Sequence, residues 1–562
     1  MTVIVVWVVA VGAMLVVARS DVNRGVDRLE STQSRLTPDA VARGVGLDDL
    51  EAARADFASA HDLVGSIVVK PFEILPVIGR QVKSVDSLTE AASQVVDIGM
   101  RSISQVQRKL KQKPKDGAER IALLDQLHAI AHRALTEIHK VDLGPGDSLV
   151  GPVKSARDKF VTRLHKATKA LQDADDLAAG LAKLLRGPSH YLVLAANNAE
   201  MRNGSGMLLS AGVMTIQDGK LDLGEMRTTD DLTLPPGAVP LPAELAALWG
   251  FTNPTQDWRN LATSARFDEI APLGAQMWQK LTGVTVDGVL AIDPVTLAAI
   301  IKAEGPITVQ GVQLNGDNVV KFILHDQYVF TAGDQNQIAR RDLLSSIART
   351  AFDTLDQRDW KPATLLKELS AAVDGRHFLA WSADPVVQRG FAGAGMAGVM
   401  SRDSLLVSSQ NFSGNKLDQY VGVNATLSVT KSSGGSDVNV RVHLKNNAPA
   451  DDPFYILGPY PGTGNLAGEY RSQVTFTMPA DARQVVLEGA TPVDVAGPDG
   501  PTQVQAAPID LKRGEERDVS IRFHLPPGEN HLQIESSARV PAIQWNYAGR
   551  QWFDLSGRGI TW

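Results

Sequence analysis

The spacing of apolar residues along the chain changes character several times, and each change marks a segment with its own architecture. Met1–Ala18 is apolar apart from Thr2 and stops at Arg19. A bilayer-spanning helix needs about 20 apolar residues, with ~17 as the lower limit. The segment therefore predicts a membrane anchor with the rest of the chain outside the membrane. The small-residue ending Val16–Ala18 also suits a cleaved signal peptide. No basic residue precedes the run to orient it. From Asp21 to about Leu185 apolar residues recur at three- and four-residue steps, as in "VDSLTEAASQVVDIGMRSISQVQRKL" and "ERIALLDQLHAIAHRALTEIHKV". That period predicts helices, broken at Pro71, Pro76, "KQKPKDG" and "LGPGDS".

After "RGPSH" (186–190) the period shifts. "YLVLA", "GMLLSAGVMTI", "KLDLGEM" and "VDGVLAI" read as strands, and "DEIAPLGAQMWQKLTG" and "DPVTLAAIIKAEG" as helices between them. Alternation of this kind predicts an α/β layer with some parallel pairing. Beyond about Leu417 only short alternating segments follow, beginning with a hairpin folded at "SSGGSD". They predict an antiparallel β-sandwich. The expected fold is thus multidomain α+β: a transmembrane anchor at 1–18, a helical stalk or bundle at 19–186, a central α/β domain at 187–416 and a β-sandwich at 417–562.

Composition narrows the chemistry. Of 562 residues 44% are hydrophobic and 21% charged, and the formal charge is −7. A net acidic chain argues against nucleic acid as its partner, since a backbone reader carries a basic face. The absence of cysteine excludes disulfides, thiolate nucleophiles and cysteine-ligated metals. The signatures GxxxxGK[ST], GxSxG and HExxH are also absent. "GFAGAGMAGVM" (390–400) follows no clear strand, so close packing explains it better than a dinucleotide loop. His128 and His132 stand one turn apart, but the sequence offers no nearby third metal ligand.

Arginines carry the remaining signal. Arg202 lies in "NNAEMRNGSG" at a strand end, Arg227 in "LGEMRTTDD", and Arg340 in "GDQNQIARRD". A guanidinium fork suits phosphate or carboxylate, and arginines at neighbouring strand ends can converge on one crevice. Each could equally be a solvated surface charge. In "NFSGNKLDQY", Asn411 and Lys416 suit either a site lining or a domain junction.

Over nearly its whole length the chain resembles the bacterial domain-of-unknown-function family numbered 4012. The resemblance rests on "YLVLAANNAEMRNGSGM", "VDGVLAIDPVTLAAII", "GPITVQGVQLNGDNVVKF", "HFLAWSADPVVQ" and "QNFSGNKLDQY". Within it, Tyr191–Leu355 is similar to the LytR–CpsA–Psr family, whose members transfer a glycan from a polyprenyl-pyrophosphate carrier to peptidoglycan. The shared order runs from an arginine-bearing strand through "GKLDLGEMRT" and "VQLNGDNVVKF" to a late arginine-bearing helix. The resemblance implies pyrophosphate contacts from Arg202, Arg227 and Arg340, with Gln337 where the family has a further arginine. It also implies Mg²⁺ held by carboxylates. Here Gly204 and Thr228 replace two of the family's acids, leaving Asp230, Asp231 and Asp334 as substitutes.

Three functions follow as expectations. The first is an extracytoplasmic, membrane-anchored envelope protein that binds an anionic or lipid-linked glycan without efficient turnover. The second is an active glycopolymer phosphotransferase, and the third a structural or adhesion surface protein.

Overall fold

The computed structural model describes residues 24, 25, 28, 47–64, 78–330, 337–357, 360–459 and 464–562. They divide into two compact units. One comprises the described parts of 1–114, 119–182 and 361–367, and the other 115–118, 183–360 and 368–562.

The first unit is helical. Its elements are α1 (Leu47–Val64), α2 (Ile78–Leu110), α3 (Gly117–Ile138) and α4 (Gly151–Arg186). Leu50, Ala53 and Phe57 of α1 recur at three- and four-residue steps and pack on Ala92, Val96 and Ile103 of α2. Ile98 continues the α2 stripe onto Ala134 and Ile138 of α3. His128 and His132 both turn their Nδ1 atoms to Asp175 of α4, at 2.6 and 3.3 Å. The closer approach lacks hydrogen-bond alignment.

The expected membrane-spanning segment at 1–18 lies outside the described residues. Among the described residues no helix is long and apolar enough to cross a membrane. The longest, α2 and α4, carry charges along their whole length; in α2 these include Arg80, Lys83, Asp86, Glu90, Asp97 and Arg101. The fold class is therefore corrected to mixed α+β with several sheets and no membrane-spanning helix among the described residues.

The second unit holds three large sheets. The first is formed by β1 (Ser189–Met201), β2 (Gly206–Gln217), β3 (Lys220–Leu223), β4 (Arg227–Thr228), β5 (Gly288–Ile292) and β8 (Phe378–Ser382). Its order is β3-β2-β1-β5-β8, with β4 also on β2. Only β1–β5 pair in parallel, and the other neighbours are antiparallel. Helix α5 (Phe267–Thr282) packs on β5 and β8. Its Trp278 meets Trp258 edge-on at 6.5 Å, within the core of this domain. Helix α6 (Pro294–Glu304) starts at Asp293, whose carboxylate accepts from the Val295 and Thr296 amides. Helix α7 (Gln337–Gln357) lies against α6 and β3. In the glycine-rich segment, Gly398 has φ +62°, and a Cβ there would lie 2.6 Å from that of Phe267. Close packing is what that glycine serves.

A separate two-stranded hairpin is formed by β6 (Ile307–Val309) and β7 (Val312–Leu314). The β-sandwich is built from two six-stranded sheets. One is ordered β13 (Arg483–Glu488), β16 (Glu516–Leu525), β11 (Gly435–Asn446), β10 (Val421–Ser432), β18 (Gln544–Tyr547) and β19 (Arg550–Phe553). The other is ordered β14 (Val495–Asp499), β15 (Thr502–Leu511), β12 (Tyr470–Pro479), β9 (Ser404–Asn411), β17 (His531–Ile534) and β20 (Arg558–Thr561). The hairpin expected from sequence is β10 and β11. The register sets Ala425 against Val442 and Leu427 against Val440, so one face of each strand enters the core. Each valine or leucine among them contributes about 1.5–3 kcal/mol on burial. β9 (Ser404–Asn411) pairs with β12 (Tyr470–Pro479). The sandwich therefore begins at Ser404, ahead of the 416/417 boundary expected from sequence.

Candidate functional site

The β1–β2 ladder pairs Asn197 with Met207 and then Met201 with Gly206. The extra residues on β1 form a bulge, which frees their side chains from strict alternation. Asn197, Asn198, Glu200, Arg202 and Asn203 are all buried there. They meet polar groups from β9, from the 415–418 segment and from the loop at 536–539.

Two buried ion pairs organise this junction. Asp418 is fully buried and accepts from Arg539 Nη1 at 2.8 Å and Tyr470 OH at 2.6 Å through Oδ1. Its Oδ2 accepts from the Met201 amide at 3.0 Å and Asn411 Nδ2 at 2.8 Å. Arg539 also donates to the Asp418 and Val421 carbonyls at 3.0 and 3.1 Å. Burial opposes its charge, but Asp418 and Tyr470 outweigh burial and its pKa is raised. The Tyr470 hydroxyl is pushed upward by burial and by the Asp418 charge.

The second pair is Lys416 with Glu200, 2% and 2% exposed. The Lys416 ammonium lies 5.2 Å from the Tyr328 ring centre and 5.1 Å from that of Tyr455. The two rings stack at 5.4 Å. Charged groups this deep are tolerated because each is paired and hydrogen-bonded.

Arg202 belongs to the same junction. Its Nη1 donates to the Met201 and Asn411 carbonyls at 3.0 and 2.9 Å, and its Nε and Nη2 to Asn260 Oδ1 at 3.4 and 3.3 Å. Burial lowers its pKa to about 10, so it remains a cation at neutral pH. Four of its five donor hydrogens are thus directed at the protein itself.

The other residues singled out by sequence lie elsewhere. Arg227 is exposed on β4, opposite Ala211 of β2. Gln337 and Arg340 fall on the first turn of α7, and their side chains lie outside the described residues, as does Asp334. Asp230 and Asp231 occupy a 3₁₀ turn over Thr229–Leu232. Asp230 pairs with Arg259 at 2.7 Å, and Asp231 is exposed. Gly204 is enclosed: a Cβ would lie 2.5 Å from the Ser264 carbonyl oxygen and 3.2 Å from that of Ala262. No acidic side chain can enter there without moving backbone. Among the described residues no group of three His, Cys, Asp or Glu is arranged to hold a metal ion. Asp334 apart, which lies outside the described residues, the carboxylates expected for Mg²⁺ are thus not gathered into one set.

Sequence reasoning left Asn411 and Lys416 open between site and junction, and both lie in the junction. It missed Glu200, Asp418 and Arg539. Their partners are 121 to 216 positions apart, so neither spacing nor composition marks them.

Residues 186–328 match the family described as a protein of unknown function (DUF4012). The near-whole-chain extent expected from sequence is corrected to this span, which runs from the end of α4 to Tyr328 and excludes the sandwich. No curated protein matches the chain.

Proposed function

We propose that the second unit is a non-catalytic binding and scaffold module of the cell envelope. It takes an anionic glycan, free or polyprenyl-pyrophosphate-linked, through Arg227 of β4 and Arg340 of α7. The observation that supports binding over turnover is the commitment of Arg202. Its guanidinium holds the Met201 and Asn411 carbonyls in a buried junction, and gripping a pyrophosphate would mean giving those bonds up. The transferase-like ancestry behind the choice of ligand rests on motif order along the chain. It supplies the substrate class, while the side chains argue against the reaction.

Titration of the full chain with a phosphate-bearing wall glycan and with a polyprenyl-pyrophosphate oligosaccharide tests this. Both should bind, with no release of polyprenyl phosphate when Mg²⁺ is added. Arg227→Ala and Arg340→Ala should each weaken binding roughly tenfold, the worth of one charge-assisted hydrogen bond, at unchanged Tm. Arg202→Ala should lower Tm instead. Turnover of the lipid-linked substrate, or unaltered affinity in both the Arg227→Ala and Arg340→Ala variants, overturns the proposal.

A further inference from the structure

The Lys416–Glu200 pair has a third member. Asn197, 6% exposed, directs its Nδ2 to Glu200 Oε2 at 3.5 Å and to the Tyr328 hydroxyl at 3.3 Å. The same Oε2 contacts Lys416 Nζ. The Ala199 amide donates to Asn197 Oδ1 at 3.0 Å. That amide can only donate, so it fixes which end of the Asn197 side chain is oxygen. One carboxylate oxygen thus touches both an amine and a carboxamide, the carboxamide oxygen faces an N–H donor, and two stacked tyrosine rings flank the amine.

We infer that this cluster forms an intramolecular amide bond between Lys416 Nζ and Asn197 Cγ, with Glu200 as the catalytic proton carrier. Each requirement of that reaction has a residue assigned to it. An amine attacks only when neutral, and burial in low dielectric disfavours the separated charges of an ammonium and a carboxylate. Proton transfer along the Lys416–Glu200 contact yields amine and carboxylic acid. The amine lone pair attacks Cγ, and the Ala199 amide stabilises charge developing on Oδ1. Glu200 then protonates Nδ2, the Cγ–Nδ2 bond breaks, and ammonia departs. Glu200 takes up the surplus proton of the new amide nitrogen, which keeps one, and ends neutral. Ammonium plus carboxamide plus carboxylate become amide, ammonia and carboxylic acid, with no oxidant or cofactor required. The fold holds the reactants together, which substitutes for the high concentration an intermolecular aminolysis would need. Burial of Asn197 keeps competing water from the carbonyl. The product joins β1 of the central sheet to the 415–418 segment between β9 and β10 of the sandwich, and does so whether or not a glycan binds.

The test is intact mass spectrometry of the full-length wild-type chain, followed by digestion and sequencing of linked peptides. The expected mass is lower than that of the sequence by one ammonia, with a linked peptide pair containing Asn197 and Lys416. Glu200→Gln and Lys416→Arg should each return the chain to the unlinked mass, and a folded Glu200→Gln protein that still links overturns the role of Glu200. A wild-type mass equal to the sequence mass overturns the inference without recourse to variants. Loss of one water in place of ammonia would assign the bond to the Glu200 carboxyl and overturn Asn197 as the partner.

Discussion

Asp418→Asn is the most informative single change in the junction. The substitution keeps shape and volume but removes the charge and converts one acceptor oxygen into a donor. Neither orientation of the new amide works. If its NH₂ takes the place of Oδ1, it faces the Arg539 guanidinium, which donates to that position at 2.8 Å. If it takes the place of Oδ2, it faces the Met201 amide at 3.0 Å. Both groups can only donate, so no local flip repairs the clash. Arg539 is also left without its counter-charge at 1% side-chain exposure. Breaking a buried pair by removing one partner costs about 3–5 kcal/mol, and the unsatisfied donor falls within that figure, since the terms are not additive. Native domains hold only about 5–15 kcal/mol, so the change should remove a large share of the stability of the second unit. Urea unfolding followed by the fluorescence of the buried Trp545 and Trp258 would report it. The double variant Asp418→Asn/Arg539→Met, which removes the stranded charge, should recover part of the loss. A single-variant cost below about 1 kcal/mol, within the range of a surface pair, would refute the assignment of Asp418 as the organising acceptor.

Other predictions follow from neighbouring features. Burial raises Asp499 to about 6, against the pull of Arg266. A carboxyl whose folded pKa lies above its unfolded value contributes stability that is present below about pH 4 and lost as pH rises through about 6. The shift is worth roughly 3 kcal/mol at most, so Asp499→Asn should match or exceed wild type at pH 7 and flatten the rise in stability between pH 6 and 4. A loss of stability in that variant at pH 7 would contradict this. Gly204→Asp, which introduces the acid implied by the resemblance to the transferase family, should lower stability by about 1–3 kcal/mol through overpacking and yield no Mg²⁺-dependent transfer, as read by Tm and product assay. An unchanged Tm with new activity would refute the enclosed-glycine argument. Gly398→Ala should likewise lower Tm, because its backbone is left-handed and Phe267 occupies the space.

Much of this architecture is legible in one dimension. Apolar steps of three and four give the helices of the first unit, and strict alternation gives β10 and β11, because burial of one face imposes a period on the sequence. The junction is not legible in that way. Arg202 stands at a strand end two residues before a glycine, as a phosphate-binding arginine would. What turns it inward is the Asn411 carbonyl, at the far end of a strand that joins a different sheet. Gly204 looks permissive in sequence and is confined in space by the 262–265 turn. Lys416 is conspicuous as a cation within a polar run, yet its partner is set by a β-bulge that no spacing rule announces.

The charges of the junction also explain why it is polar at all. Arg202, Lys416 and Arg539 face Glu200 and Asp418, so three buried cations meet two carboxylates. The two direct pairs use both carboxylates, and Arg202 is held by carbonyl oxygens and Asn260. Apolar side chains of similar volume would often be as stabilising, since desolvation offsets most of the attraction within a buried pair. A polar set gains instead in direction: each donor here accepts only one geometry, so the sandwich can dock on β1 in one register. Amide formation between Lys416 and Asn197 preserves that balance. It removes one cation and neutralises Glu200, leaving Arg202 and Arg539 with Asp418, the same net charge as before. A seam that already fixes orientation through charge can therefore become covalent without creating an uncompensated ion.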